Sequence, residues 1–296
     1  MKLSLFCRPY NLPQADEALF PVAARMADDA GFYSIHFGEH ILIAEQTDRY
    51  PFGPWTHGLD AGWSDPLIAL AAATAVTSRI KLSSGIILAP LHPAAVLAKQ
   101  IATLDVLSRG RAELAFGVGW QPEEFEAVGV PFDRRYSRLD DTLRACRALW
   151  GSQPASFTSD SVRFSDVRAY PLPVQERVPV LLGLKPTPRN AARIAEYGDG
   201  WCPVRYSPEQ VAAGLEVIRP AMEAAGRDPD SLIVRVQAPL VLLADGRINV
   251  HETLAVGPAY ERAGATVLAV GPTLGCRDVD DMDTLIKEIA DAAEPS

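Results

Sequence analysis

The 296-residue chain is predicted to fold as a single (β/α)8 barrel. Three observations point there. Strand-like apolar runs alternate with helical runs eight times. No domain-scale linker, repeat or low-complexity tract interrupts them. The stretch from Gly85 to Trp150 holds two consecutive strand–helix units, and a parallel return requires a crossover helix. A doubly wound open sheet shares this alternation and is the alternative. Single barrels run to about 250 residues or more, so one domain over 1–296 is allowed.

In order, Leu3–Phe6 is the first strand. A helix at about Ala15–Ala30 follows, stopped by Gly31. Tyr33–Phe37 is the second strand. Residues 38–64 form a long lid-like loop rich in Gly, Pro and aromatics. Asp65-Pro66 opens a helix, with Asp a good N-cap and Pro suited to the first turn. Ile80–Leu88 is the third strand, Pro93–Ser108 a helix, Glu113–Phe116 the fourth strand and Arg138–Trp150 an amphipathic helix.

Residues 151–178 break the rhythm as an insertion after this fourth helix. Phe157–Thr158 and Val162–Tyr170 read as a hairpin. Val178–Leu182 is the fifth strand, Pro188–Tyr197 a helix, Trp201–Val204 the sixth strand and Pro208–Ala225 a helix closed by Gly226. Leu232–Leu243 contains the seventh strand. Thr253–Ala263 is helical, Thr266–Val270 is the eighth strand and Asp280–Ala292 the last helix. In a barrel, function sits on the βα loops, here 7–14, 38–64, 88–92, 117–137, 183–187, 203–207, 238–252 and 271–279.

Composition narrows the function. The net charge of −9 argues against general binding to nucleic acid or anionic membrane. It leaves room for an anionic ligand, because local groups make that pocket. Cys7, Cys146, Cys202 and Cys276 show no metal or redox spacing and read as free thiols of a reducing compartment. The opening MKLSLFCRPYN is broken by Arg8 and Pro9, so no signal peptide is read, and no apolar run approaches a membrane span. A cytoplasmic location and a small-molecule substrate are the expectations.

His36-Phe37-Gly38-Glu39-His40 matches the pattern H-x-x-E-H, which holds zinc only on a helix. Here it straddles a strand end, so no metal site is expected. Glu39 and His40 are candidates for proton chemistry, with a structural pair of the two as the alternative. Gly117-x-Gly119 follows a strand but lacks the third glycine of a dinucleotide loop, where Glu123 stands. These glycines suit close backbone approach to a flat ligand, and Trp120 suits stacking or lid packing. Gly85-Ile86, after Ser84, marks a bulge or a close approach within a buried strand. Gly183-Leu184-Lys185-Pro186-Thr187-Pro188 runs into a helix start, a candidate phosphate site with Lys185 as an added cation and Thr187 as N-cap. Asp140-Asp141 and Asp280-Asp281 read as solvated helix charges.

The block Leu104–Arg135, LDVLSRGRAELAFGVGWQPEEFEAVGVPFDRR, resembles the luciferase-like flavin and deazaflavin oxidoreductases. Ala27–His40, Pro179–Pro203 and Ala263–Pro272 agree in order and spacing. The resemblance covers nearly the whole chain. It implies a luciferase-like (β/α)8 barrel binding coenzyme F420, or alternatively FMN, at the carboxyl ends of the strands. It implies a non-proline cis bulge at or near Gly85-Ile86 under the ring, with Ser84, Gly119 and Trp120 beside it. It places the cofactor phosphate on the turn of Gly183, Leu184, Lys185 and Thr187. The pair Glu39-His40 then faces the reactive edge, with Arg8, Trp55 and Trp63 in the substrate pocket.

Two departures stand out: Leu184 replaces a second glycine, and Trp120 replaces the catalytic Glu of the sugar-phosphate dehydrogenases. The implied reaction is hydride transfer between F420 and a small, partly apolar substrate. The alternatives are a reduced-FMN monooxygenase and a non-catalytic flavin-binding protein. Family members are often dimers, so a homodimer is a further expectation of the resemblance.

Overall fold

A computed structural model describes residues 1–8, 16–271, 276 and 278–293. The loops expected at 7–14 and 271–279 lie largely outside the described residues. Eight parallel strands close a barrel: β1 (Lys2–Phe6), β2 (Ser34–Phe37), β3 (Lys81–Ser84), β4 (Ala112–Phe116), β7 (Val180–Leu182), β8 (Gly200–Trp201), β9 (Ile233–Gln237) and β10 (Val267–Val270). The ring closes where β1 pairs with β10 in register Lys2↔Val267. An antiparallel hairpin, β5 (Ala155–Thr158) and β6 (Arg163–Val167), stands outside it within the expected insertion.

The helices are α1 (Phe20–Asp29), α2 (Pro66–Thr74), α3 (Ala94–Leu107), α4 (Pro122–Ala127), α5 (Arg135–Trp150), α6 (Pro188–Tyr197), α7 (Pro208–Ala224), α8 (Val250–Leu254), α9 (Gly257–Arg262) and α10 (Val279–Ala293). Their starts are chemically marked. Asp65 accepts from the N–H groups of Leu67 and Ile68 before α2. Ser207 and Gln210 form a reciprocal box at α7. Such a cap stabilises by about 1 kcal/mol.

The helix expected at Thr253–Ala263 is two pieces, α8 and α9. Pro258 lacks the N–H that would continue the ladder, and its ring crowds the carbonyl four residues back. The third strand stops at Ser84 and not Leu88, because the chain bulges at Gly85 and then turns through a 3-10 segment, Ala89–Leu91. α4 falls inside the loop expected at 117–137. No helix among the described residues is long and apolar enough to cross a membrane.

Strand periodicity sorts the core into two layers. Leu5, Ile35, Leu82, Leu114, Val234 and Leu268 are buried in the main apolar core. Burying each such side chain is worth about 1.5–3 kcal/mol. Polar residues at alternate positions of β1, β2, β3 and β9 bond to one another across the lumen. Ser34 Oγ donates to Ser4 Oγ at 2.7 Å, Ser4 Oγ meets His36 Nδ1 at 2.8 Å, and Arg235 donates to Ser83 Oγ at 2.6 Å. A barrel lumen is ordinarily filled by branched apolar side chains, and this polar column departs from that pattern.

Candidate active site

The carboxyl end of β3 organises the mouth of the barrel. The Gly85–Ile86 peptide is cis. Backbone bonds hold this bulge from both neighbours. Gly85 N–H donates to Phe37 O and Glu39 N–H to Ile86 O, while Ile87 N–H donates to Ala115 O and Gly117 N–H to Ile87 O. Glycine is required around it for space. A Cβ on Gly38 would lie 3.1 Å from Gly85 O, and one on Gly117 would lie 1.9 Å from Ile86 Cδ1. Gly183 stands on the other side, where a Cβ would lie 3.3 Å from Ile86 Cγ2. The Ile86 side chain thus forms a pad between two side-chain-free strand ends.

On the β1–β10 side of this pad lies a cavity of about 60 Å³ bordered by Phe6, His36, Gly85, Ile86, Arg235 and Gln237. None of its lining side chains is acidic. His36 stacks on Phe6 with ring centroids 5.0 Å apart, and the Arg8 guanidinium covers the other face of the pile at 4.4 Å from the Phe6 centroid. Burial, then the charges of Arg235 and Arg8, push the His36 pKa well below its usual value, so His36 is a neutral imidazole. Cys202 also borders the cavity, and burial raises its thiol.

On the opposite side stands an acid–base pair. His40 Nδ1 lies 3.2 Å from Glu124 Oε1, and the same oxygen accepts from Ile41 N–H at 2.9 Å. Gln121 Nε2 donates to Glu124 Oε2 at 3.3 Å and its Oε1 accepts from Ala44 N–H. Glu124 is fully buried. Around His40 gather the edges and faces of Trp55, Trp63 and Trp120, with centroids 5.7, 4.5 and 5.9 Å away. Trp55 Nε1 is buried without a hydrogen-bond partner among the described residues. His57 packs edge-on against Trp55, and its pKa is lowered to about 4 by burial, then by Arg8, His40 and Arg205. Arg205 reaches across from the β8 side to the Phe52 carbonyl, tying loop 38–64 to the rim.

The structure brings together His40, Trp55, Trp63 and Trp120, and separately Ser84, Gly85, Ile86 and Gly183. It parts Glu39 from His40. Glu39 turns beneath the bulge, where it accepts from Leu88 N–H at 2.6 Å and bonds His92 Nε2 at 2.9 Å. Its two oxygens are spent on the Leu88 N–H and the His92 ring, so the Glu39–His40 hydrogen bond weighed as a structural pairing does not form. Glu124 takes that place. A glutamate inside the first turn of a short, otherwise unremarked helix gave no sequence signal beyond its distance from Gly119.

Gly119 is left-handed, with φ of 72°, which a glycine tolerates. Thr187 caps α6 by accepting from Asn190 N–H, Leu184 packs its side chain in the core while its carbonyl takes Trp201 Nε1–H, and Lys185 is exposed beside the helix start.

Two expectations about charge are corrected. Asp140 and Asp141 are not solvated. Asp140 holds Arg193 in a two-point pair at 2.6 and 2.8 Å and accepts from Tyr197 Oη–H, and Asp141 takes Ser161 Oγ–H at 2.5 Å. They pin α5 to α6 and to the hairpin. A larger cavity of about 650 Å³ lies between α5, α6 and residues 173–178. Its arginines are engaged by Glu196 and Asp199. Among the described residues no cluster of His, Cys, Asp or Glu has metal-site geometry, and His36 and His40 point to different partners.

The model of the luciferase-like monooxygenase family matches residues 10–278. An uncharacterised protein of Mycobacterium tuberculosis (strain ATCC 25618 / H37Rv) is 36% identical over 272 residues, covering 88% of this chain and 96% of the relative. The pyrimidine monooxygenase RutA of Escherichia coli (strain SMS-3-5 / SECEC) is 29% identical over 186 residues, 61% of this chain and 50% of that protein. An F420-dependent secondary alcohol dehydrogenase solved with an F420–acetone adduct superposes with a TM-score of 0.79 at 19% identity, covering 99% of each chain. The monooxygenase RslO1 from Streptomyces bottropensis gives 0.78 at 23% identity, covering 99% of this chain and 98% of that one. At these identities the superpositions speak for the fold. The match over most of the length, on a closed barrel with a bulged third strand, makes this chain a member of the luciferase-like monooxygenase family.

Proposed function

We propose that the chain is an oxidoreductase that moves a hydride between coenzyme F420 and a small, partly apolar organic substrate. The observation that carries this reading is the His40–Glu124 pair, set among three tryptophans at the same mouth as the Gly85–Ile86 bulge.

The residues present fit a planar redox ring with an anionic tail. Ile86 between Gly117 and Gly183 offers a flat pad that any added Cβ would obstruct. The start of α6, with Lys185 beside it, offers the positive end of a helix dipole and a cation. Ser84, Gly85, Ile86, Gly119 and Trp120 would border the ring, and Gly183, Leu184, Lys185 and Thr187 the tail. When bound, F420 supplies or accepts the hydride.

The chain's own residues do the rest. His40 gives a proton to the substrate oxygen in reduction and takes it back in oxidation. Glu124 holds Nδ1, which leaves Nε2 for the substrate and offsets the charge when the ring is protonated. Trp55, Trp63 and Trp120 exclude water and favour an apolar substrate body, and Arg8 borders this space next to Phe6. Glu39, which sequence reasoning paired with His40, acts here by holding the backbone after the bulge.

A second reading, a reduced-FMN monooxygenase, is favoured by the family's description and by the relative RutA. The deciding experiment mixes protein from a host lacking F420 with oxidised and reduced F420 and FMN and follows ring fluorescence and oxygen. Tight F420 binding with no oxygen uptake is expected. Oxygen uptake with supplied reduced FMN selects the second reading, and no binding of either cofactor ends both.

A further inference from the structure

Three arginines are buried among the described residues, and they are not alike. Arg193 has Asp140. Arg111 sits in a cage of acceptors, bonding the carbonyls of Ser108, Ile80 and Thr77 and the Thr77 hydroxyl. Arg235 has neither. It is 4% exposed, donates to Ser83 Oγ and Ser84 O at 2.6 Å each, touches the Cys202 thiol, and forms no ion pair among the described residues. A buried charge is ordinarily paired, because removing it from water is costly. The guanidinium also borders the 60 Å³ cavity, whose lining carries no acid.

The groups that face it are few. His36 on β2 is neutral, and Arg8 after β1 adds positive charge. Cys202 after β8 is kept as the thiol by burial. Glu113 on β4 is the register partner of Ser83, is fully buried, and takes Tyr33 Oη–H at 2.5 Å. Burial raises the Glu113 pKa against the lowering by the Tyr33 hydrogen bond and the Arg235 charge, and no ion pair forms between Glu113 and Arg235.

We propose that Arg235 is the cation that balances the reduced cofactor. The cavity takes the oxygen-bearing pyrimidine edge of the ring, where negative charge collects on two-electron reduction, and Arg235 makes the site prefer the reduced anionic form. The cavity's size suits an edge of a ring and not the whole of it. The inference rests on the cofactor reading above, and it holds for F420 and FMN alike because both carry this edge. His36 and Gln237 complete the edge with neutral hydrogen-bonding groups. Arg235 also braces the carbonyl before Gly85, so a purely structural role is the rival.

The two roles separate by redox state. Titrations of oxidised and chemically reduced F420 and FMN are compared for wild type, Arg235→Met and Arg235→Lys. Arg235→Met is expected to lose about tenfold more affinity for the reduced form than for the oxidised form. For a two-electron couple that is a midpoint potential lower by about 30 mV. Arg235→Lys is expected to recover most of the preference.

Equal losses for both forms would reduce Arg235 to a brace and overturn the proposal. If Arg235→Met does not fold, wild type decides by absorbance: the bound reduced ring is expected to ionise at lower pH than the free one, and an unchanged or higher value overturns the proposal. A wild type that binds neither cofactor in either state fails the cofactor reading itself and takes this inference with it.

Discussion

The two sides of the barrel mouth are built on different principles. On the β1–β10 side, Phe6, His36 and Arg235 stand on strands and surround a small cavity without acids, with His36 and Arg235 locked by lumen hydrogen bonds and Phe6 stacked on His36. On the other side, His40, Trp55, Trp63 and Trp120 stand on loops and hold one another by ring edges over one buried carboxylate. The rigid side presents a fixed cation, which suits a resident ring whose charge changes. The loop side presents an acid–base pair inside an aromatic wall carried by loops, which suits a substrate that enters and leaves. Two histidines four residues apart thereby receive opposite tasks. His36 is fixed as neutral by burial beside two arginines, while His40 has a carboxylate at Nδ1.

The largest expected effect breaks the loop side alone. His40→Ala is expected to slow turnover by about 10²–10⁴-fold with cofactor affinity retained, as for loss of a general acid–base group. Glu124→Gln should give a smaller fall in kcat at unchanged KM for an uncharged substrate. Steady-state kinetics beside cofactor titration reads both, and an unaltered His40→Ala rate would return His40 to a structural role.

Next in size, Gly85→Ala strikes the rigid side. Its Cβ would fall 2.4 Å from His36 Cδ2, and His36 is held by Ser4 and Phe6. Overpacking of this kind costs about 1–3 kcal/mol. A lower Tm together with weakened cofactor binding is expected. Full stability would show that the strand side yields as readily as the loops.

The smallest effect tests the hinge between the sides, where Glu39 holds His92. Burial lowers the His92 pKa, but the hydrogen bond and charge of Glu39 outweigh it, so the folded value is raised. The stabilisation is therefore complete below the unfolded value, about pH 6.5, and fades as pH rises through the higher folded value. Denaturant midpoints across that range should show stability falling as pH rises, a slope that vanishes in His92→Gln. A slope that persists there would assign the pH dependence to another group.

How much of this was legible beforehand depends on the range of the interactions. Pro188–Tyr197 was readable to the residue because Thr187, Pro188 and Gly198 mark its ends locally. The bulge was readable because a glycine within a buried strand gives up packing, which marks a bulge or a close approach. The pairing of Glu39 was not readable, since its partners lie at 88 and 92 and depend on how the chain turns after the bulge. Glu124 was missed for the same reason: its partner is 84 residues away.

The sequence alone determined the order of the barrel strands, the capped ends of helices such as Pro188–Tyr197 and the side-chain-free strand tips, because caps, prolines, glycines and strand periodicity act over a few residues. Only the tertiary structure decided which histidine meets a carboxylate and which arginine is left without one. Closing eight strands into a ring sets distant residues against each other, and burial then makes every pairing, or its absence, electrostatically decisive.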